Sequence, residues 1–347
     1  MMKKSNMSHF LVTPAFYLEK DWRKKSEDLV KNDIYIGMIC LVLAFLIVMS
    51  NALLMIALWR QRSRKLNTHT LVFWLAVNDM MVGIFVLPST LPSLFTKRQI
   101  EIPPIFCSVS GVVTSVTVTM SVLIVMCLTV DRFIAVKFPV RYPRICSRTR
   151  IHLITALVWT EAILFSVIPL VPQFGGYRFN NSTCTCTKKI GRNKTNPFSI
   201  ASYTLCVVVP LGTVVIAGVA IVVILLRKPK LSAQLQRIRA ACVTTLLIVG
   251  AYFACVMPYT IAFIIWNKKH KSKESLMYES WPLYCLIITF GNSLLNPIIY
   301  LSRSGRMRKE VKAVMRQTSS ILTNMSSRRS KEGDPIPIPQ YSRSPRL

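Results

Sequence analysis

The sequence predicts an all-α membrane protein, a seven-transmembrane helix bundle followed by a short amphipathic eighth helix. Three observations carry this reading. Seven apolar runs, 34–59, 70–95, 104–134, 150–172, 198–226, 237–266 and 277–301, reach the membrane length of about 20 residues that a hydrocarbon core requires of a helix. Hydrophobic residues make up 52% of the chain and charged ones 17%, against roughly 25% charged in soluble domains. The Lys and Arg residues lie in short segments between the runs.

That third point decides what the net charge of +30 means. A chain this basic first suggests nucleic acid as partner. No separate basic domain exists, so nucleic acid is excluded and anionic membrane lipid is the expected partner of a basic rim.

Residues 1–33 read as an extracellular N-terminal segment. It is polar through Asp33 and holds no short apolar core before a cleavage site, so the first run is expected to act as its own insertion signal. Residues 34–301 form the membrane domain. Pro88 and Pro92 lie near one end of the second run, Pro169 and Pro172 near one end of the fourth; membranes tolerate these where neighbours satisfy the freed carbonyls. No repeat relates the two halves, which weakens a transporter reading.

Seven spans put the termini on opposite faces. The loops on the C-terminal side, 60–69, 131–150 and 227–239, hold 15 Lys and Arg against 11 in the loops of the other side, which favours an extracellular N-terminus. Glycosylation sequons at Asn6, Asn180, Asn181 and Asn193 fall on that outer side, although another at Asn324 falls in the tail. Of ten cysteines, Cys40, Cys127, Cys206, Cys242, Cys255 and Cys285 lie within apolar runs and Cys146 on the inner side. Cys107, Cys184 and Cys186 remain outside. A bridge from Cys107 to either of the others would tie the third span to the loop after the fourth, leaving one thiol over.

Ionisable groups within spans cost several kcal/mol and are functional candidates. Asp79 sits mid-run in LAVNDMMVG, and Glu161 follows Trp159. Asn51, Ser121, Asn292, Ser293 and Asn296 add polar groups. Asp79, Ser121, Asn292 and Ser293 at similar depth would form either a pocket for a small hard cation or a hydrogen-bonded network that joins helices. The third span ends in TVDRFIAVKFPVRYP, 129–143. There Asp131 and Arg132, followed by Phe138, Pro139 and Val140 in a basic loop, offer a partner both charge and an apolar anchor.

In order along the chain stand Asn51, Asp79 in LAVND, Cys107, DRF at 131–133, Trp159, Pro210, CVMP at 255–258 and NPIIY at 296–300. With these motifs the chain resembles a rhodopsin-like (class A) G-protein-coupled receptor over residues 34–316. The resemblance implies a plasma-membrane, multi-pass receptor that binds an extracellular ligand and activates a heterotrimeric G protein. A non-signalling scavenger or decoy receptor of the same fold is the alternative. It implies that Arg132 receives the G protein while Asp131 restrains it, with Phe133 and Pro139 beside them. Asn296, Pro297 and Tyr300 form the activation switch, Tyr300 swinging inward on activation. Asp79, Ser121, Asn292 and Ser293 match the family's allosteric sodium site, and no other cofactor is expected. Counted from Pro210, the disulfide reading leans to Cys186, with Cys184 the alternative.

Residues 302–317 resemble the family's amphipathic helix on the inner leaflet, with an apolar side of Met307, Val311, Val314 and Met315. The tail 318–347 is expected to be disordered. Its Ser319, Ser320, Ser326, Ser327 and Ser330 are candidate phosphosites for an arrestin-type partner.

Four departures stand out. Val256 replaces the usual tryptophan of the sixth span, Gly218 the usual tyrosine of the fifth, Phe133 the tyrosine of Asp-Arg-Tyr, and Ile238 an acid that faces Arg132 in some members. By position, the ligand pocket is lined by Thr114, Ser115, Val118, Thr119, Ser202, Tyr203, Cys206, Val256, Tyr259, Thr260, Phe263, Leu286 and Phe290. Thr114 stands where amine receptors carry aspartate and Phe290 where opsins carry the retinal lysine, which argues against both subtypes. The outer loops hold 11 bases and 3 acids, Glu101, Glu274 and Glu279, densest at NKKHKSK, 267–273. Such a vestibule would steer an anionic or peptide ligand. No covalent chemistry is expected: His9, His69, His152 and His270 are scattered, and no nucleophile–base pair or phosphate loop occurs.

Overall fold

The computed structural model describes residues 12–60, 67–96, 102–188, 197–227, 233–269 and 281–332. Seven helices among them are long and apolar enough to cross a membrane: Asn32–Arg60, His69–Phe95, Pro104–Lys137, Arg148–Leu170, Pro197–Arg227, Gln236–Ala262 and Trp281–Arg303. These are spans one to seven below. They match the seven runs in order. The helix of span one begins at Val12, inside the expected N-terminal segment, and that of span six runs Ala233–Lys269.

The third span is the axis of the bundle. Of its most apolar stretch 61% is buried, against 28% in spans one, four and five. Leu123, Ile124 and Leu128 pack in one core with Leu54, Leu75, Val214, Ile248 and Tyr252. Large apolar side chains that remain exposed, such as Phe45 at 64% and Ile216 at 73%, lie on outward faces. Such surfaces suit lipid and would be a liability in water.

Local irregularities follow the sequence. Ser147 caps span four, its Oγ accepting from the Arg150 amide at 3.5 Å. A π-helical turn, Thr204–Val208, precedes Pro210 in span five. Pro210 has no N–H to return to the carbonyl four residues back, and a widened turn absorbs that defect. A second π-turn, Val82–Val86, lies in span two, where Gly83 lets span one approach: a Cβ there would stand 2.8 Å from Val48 and 3.0 Å from the Ala44 carbonyl. Trp74 and Trp159 meet edge to face at 5.6 Å and join spans two and four.

Between spans four and five a hairpin of β1 (Tyr177–Asn180) and β2 (Thr185–Lys188) lies over one end of the bundle. Its register pairs Tyr177 with Lys188 and Phe179 with Cys186. Cys107 and Cys186 form the disulfide, with Cα atoms 5.3 Å apart. Gly111 is what lets the hairpin sit so close: a Cβ would fall 2.3 Å from the Tyr177 ring.

The C-terminal helix corrects two expectations. It runs Gly305–Glu332 rather than ending at 317, so residues 318–332 are helical where disorder was expected. In the sequence the apolar period of Val311 and Val314 recurs at Ile321, Leu322 and Met325, a spacing that favours helix past the expected end. Met307, Val311 and Val314 are buried, but Met315 is 58% exposed and lies off the packed side. Arg60 donates to Gln317 Oε1 at 2.6 Å and ties this helix to span one.

Candidate functional site

Three clusters of polar residues thread the bundle. The first lies at the end that carries the C-terminus. Asp131 and Arg132 sit in the last turns of span three, 3% and 7% exposed. Arg132 Nε donates to Asp131 Oδ2 at 3.0 Å. The other carboxylate oxygen accepts from the Tyr142 hydroxyl at 2.9 Å. Tyr142 lies on a short helix, Tyr142–Ile145, just past the turn at Pro139 and Val140. Burial first, and then the charge of Asp131, push the Tyr142 phenol up to about 12, so it stays a donor at any physiological pH. The Cys242 thiol of span six points at the Arg132 carbonyl, 3.9 Å away. Phe133 and Ile238 share a small apolar cluster with Val136 and Ile221. Ile238 thus packs beside the pair and supplies no acid to it. Val140 is 91% exposed and Phe138 39%.

The second cluster is at mid-depth. Asp79 is fully buried. Asn296 donates from Nδ2 to Asp79 Oδ2 at 2.8 Å, across spans two and seven. The Ser293 side chain also reaches Asp79. Asn51 donates to the carbonyls of Ile47 at 2.9 Å and Ser293 at 3.0 Å, holding span one to span seven. Asn78 donates to Ser121 Oγ at 3.0 Å and to the Thr117 carbonyl at 3.1 Å. The expected four thus divide: Ser293 adjoins Asp79, while Ser121 is turned to Asn78 and its own helix. Asp79 Oδ1, Asn292 Oδ1 and the Tyr300 hydroxyl are buried with no hydrogen-bond partner. Pro297 is buried within span seven, between the asparagine and the tyrosine.

The third cluster is at the hairpin end. Leu286 and Phe290 are 6% and 3% exposed and pack with Tyr259 and Cys184. The hairpin tip sinks into the bundle: Ser182, Thr183, Cys184 and Thr185 are 8%, 3%, 0% and 3% exposed. Thr183 and Thr185 satisfy each other at 2.8 Å. The other expected pocket residues do not converge on one point. Ser115 accepts from the Ser166 hydroxyl at 3.0 Å and so faces span four. Thr114 and Thr260 donate to carbonyls of their own helices, Ser110 at 2.8 Å and Val256 at 3.1 Å. Val118 is 47% and Tyr203 62% exposed, and Thr119 is buried. The Ser202 hydroxyl bonds the buried Cys206 thiol. Val256 packs against the central core. The side chain of Phe263 lies outside the described residues, as do Asn6, Asn193, Glu101, Glu274, Glu279 and the 270–273 part of the basic cluster. Asn181 is exposed at the hairpin turn.

Two participants were missed. Tyr142 gives no signal in the sequence beyond its place eleven residues after Asp131. Lys188 does give one: in a strand, side chains two apart share a face, and Lys188 follows Cys186 by two. Its Nζ donates to the Phe165 carbonyl at 2.9 Å. Burial pulls this ammonium below the ordinary lysine value.

The arrangement has relatives. Similar chains include the histamine H2 receptor of Homo sapiens, 24% identical over 327 residues, which span 88% of this chain and 90% of the receptor. A QRFP-like peptide receptor of Branchiostoma floridae is 19% identical over 281 residues, 77% of this chain and 74% of that one. The 5-hydroxytryptamine receptor 2C of Canis lupus familiaris is 28% identical over 177 residues, 50% of this chain and 38% of the other. The family described as 7 transmembrane receptor (rhodopsin family) matches residues 50–300, the stretch that holds the two mid-depth and C-terminal clusters. By its seven spans, its motif residues and that match, the chain belongs to the rhodopsin family of seven-transmembrane receptors.

Proposed function

We propose that this receptor lies in the plasma membrane with its N-terminus outside. It binds an extracellular ligand and promotes nucleotide exchange on a heterotrimeric G protein by conformational coupling. The observation that carries the reading is the closed Asp131–Arg132–Tyr142 arrangement. Buried there, the guanidinium is withheld until its carboxylate is displaced. A ligand that binds the opened bundle more tightly than the closed one shifts the balance by that difference alone. Val140, Phe138 and Pro139 then offer the G protein an apolar anchor beside the freed cation.

The orientation rests on the excess of bases on the C-terminal side and on the disulfide, which belongs in an oxidising compartment. The exposed Asn181 on the same hairpin suits glycosylation.

Asp79 is the expected anchor of an allosteric sodium ion, with Ser293, Asn292 and Ser121. The residues fit in part: Asp79 Oδ1 and Asn292 Oδ1 are buried acceptors without partners, and a small hard cation takes oxygen ligands. Ser121 would have to turn away from Asn78. When bound, the ion would add a positive charge beside Asp79 that favours the resting bundle. The chain's own part is the Asn296–Asp79 bond, which holds span seven to span two.

Two of the relatives are named for amines and one for a peptide. Thr114, already engaged with its own helix, offers no carboxylate to an ammonium, so we place the ligand outside the amines and on the anionic side that the basic loops would attract. An arrestin-type protein is the second partner, recruited by phosphates on Ser319 and Ser320 of the C-terminal helix and the serines beyond.

One observation favours a scavenger instead. A Cβ at Gly218 would meet only Leu246, at 4.0 Å, so no side chain there awaits Tyr300. Ligand-free G-protein activation in cells decides, with wild type and Arg132→Ala compared at matched surface expression. A basal signal lost in the variant supports signalling. Ligand uptake with no response from any G-protein subtype selects the scavenger.

A further inference from the structure

We propose that Lys188 is the anchoring cation of the ligand site and that the ligand presents a carboxylate to it. The proposal rests on the receptor reading above but names a group that the reading leaves open.

The hairpin register sets the geometry. Tyr177, Phe179, Cys186 and Lys188 share one face, because each sits opposite another of the four in the ladder or two residues from it. That face meets the bundle: Tyr177 lies on Gly111, Cys186 is bonded to Cys107, and Phe179 packs on the Leu286 and Phe290 cluster. Lys188 is therefore carried beneath the hairpin, half-buried, toward the ends of spans four and five.

Its ammonium has three donors. One goes to the Phe165 carbonyl at 2.9 Å. Among the described residues no carboxylate stands within ion-pair reach of it. A cation drawn out of water against one carbonyl is incompletely compensated, and its depressed proton affinity has that same cause. The surroundings suit a small acid. The Cys206 thiol lies within the field of the ammonium and also within that of the Glu161 carboxylate of span four, and Ser202 bonds that thiol; the ligand's carboxylate would meet Lys188 rather than Glu161. Phe165, whose carbonyl holds the ammonium, also meets Phe198 ring to ring at 5.9 Å, and Phe198 meets Phe174 at 5.2 Å, a tilted aromatic cluster that could receive the apolar body of the ligand. A cationic amine placed here would meet a like charge, which agrees with the missing aspartate at Thr114.

The test uses the full chain in nanodiscs of phosphatidylcholine and reads thermal unfolding. The probes are phenylacetate, octanoate and N-acetyl-Gly-Phe, each against its neutral amide; the three acids separate aromatic, aliphatic and peptide sources of the carboxylate. At least one acid should stabilise wild type in a saturable manner, with its amide doing so roughly tenfold or more weakly, since one charge-assisted bond is at stake. Lys188→Arg should keep the effect. Lys188→Met should lose it; Lys188→Gln, which can still donate to Phe165, should lose it too and stands in if the methionine variant does not fold. The proposal is overturned if no acid stabilises wild type, if acids and amides act alike, or if either neutral variant responds as wild type does. Arg132→Ala, which leaves Lys188 in place, should still bind the acids in preference to their amides. Acid binding without any G-protein response would remove the signalling reading and leave this one standing; basal signalling without acid binding would do the reverse.

Discussion

Replacing Tyr142 by Phe deletes one hydroxyl and leaves the ring in place. In the closed arrangement that hydroxyl donates to Asp131 Oδ1 at 2.9 Å, the carboxylate oxygen that Arg132 Nε does not use. Hydrogen bonds to charged groups contribute about 1.5–3 kcal/mol. Tyr142 is only half-buried, so water can partly replace it and the lower end applies. A loss of about 1.4 kcal/mol from the closed state alone is tenfold in the closed–open ratio. A receptor open about 1% of the time would then be open about 9% of the time, within the usual range for a minor state. Tyr142→Phe should therefore raise ligand-free G-protein activation severalfold at matched surface expression, and Tyr142→Phe combined with Arg132→Ala should abolish it. The pH behaviour adds a check. The phenol rises from 10.0 to about 12, by burial first and then by Asp131. A folded-state pKa above the unfolded one gives stability that is complete below the unfolded value and lost as pH climbs through the folded one. The bond should thus be indifferent to pH in the cellular range and fail between about 10 and 12. Wild type should lose thermal stability in that window faster than Tyr142→Phe. An unchanged or lowered basal signal in the phenylalanine variant, with normal expression, would refute the idea that this bond holds the bundle closed.

Three further outcomes follow from the other clusters. Sodium chloride should raise the unfolding temperature of the purified receptor above its value in choline chloride, and Asp79→Asn should remove the difference; an equal salt effect in both would discard the sodium reading. Serine at Cys107 or Cys186 opens a closure of 79 residues, about 4.5 kcal/mol in the chain-entropy treatment and less where the membrane already confines the unfolded chain. Either change should cut surface expression sharply, whereas Cys184→Ser should be mild and native Cys184, 0% exposed, should resist a membrane-impermeant maleimide on intact cells. Asn180→Gln combined with Asn181→Gln should increase gel mobility if the exposed turn is glycosylated; an unchanged band would show that neither sequon of the turn is used.

The spans were legible because membrane length is a one-dimensional property: a run such as 198–226 needs no partner to be recognised. Asp79 and Asn296 were legible because a polar residue in an apolar run must find company, and the 2.8 Å bond between them is that company. The pocket was harder. Whether Ser115 faces a cavity or span four depends on helix phase and tilt, which no local pattern encodes, and the Ser166 hydroxyl claims it. The tip residues Ser182–Thr185 have the polarity of a solvated turn, yet a disulfide three-dimensionally pins them inside the bundle. Their burial follows from Cys186 being fixed at Cys107, a constraint spread over 79 residues. The end of the C-terminal helix was less legible because Ser and Thr from 318 onward are weak helix formers and hide the apolar period that recurs at Ile321, Leu322 and Met325.

The uneven burial of the spans bears on how the chain is made. In spans one, four and five 28% of the most apolar stretch is buried in the bundle, so most of its residues can face lipid as the helix emerges. The third span differs: 61% of its apolar stretch ends up buried against protein, and it ends in the Asp131–Arg132 pair. When it leaves the ribosome, spans five, six and seven do not yet exist. Lipid can cover its apolar flank in the meantime, whereas the Asp131–Arg132 pair, buried in the finished bundle, has to wait for the later helices that enclose it.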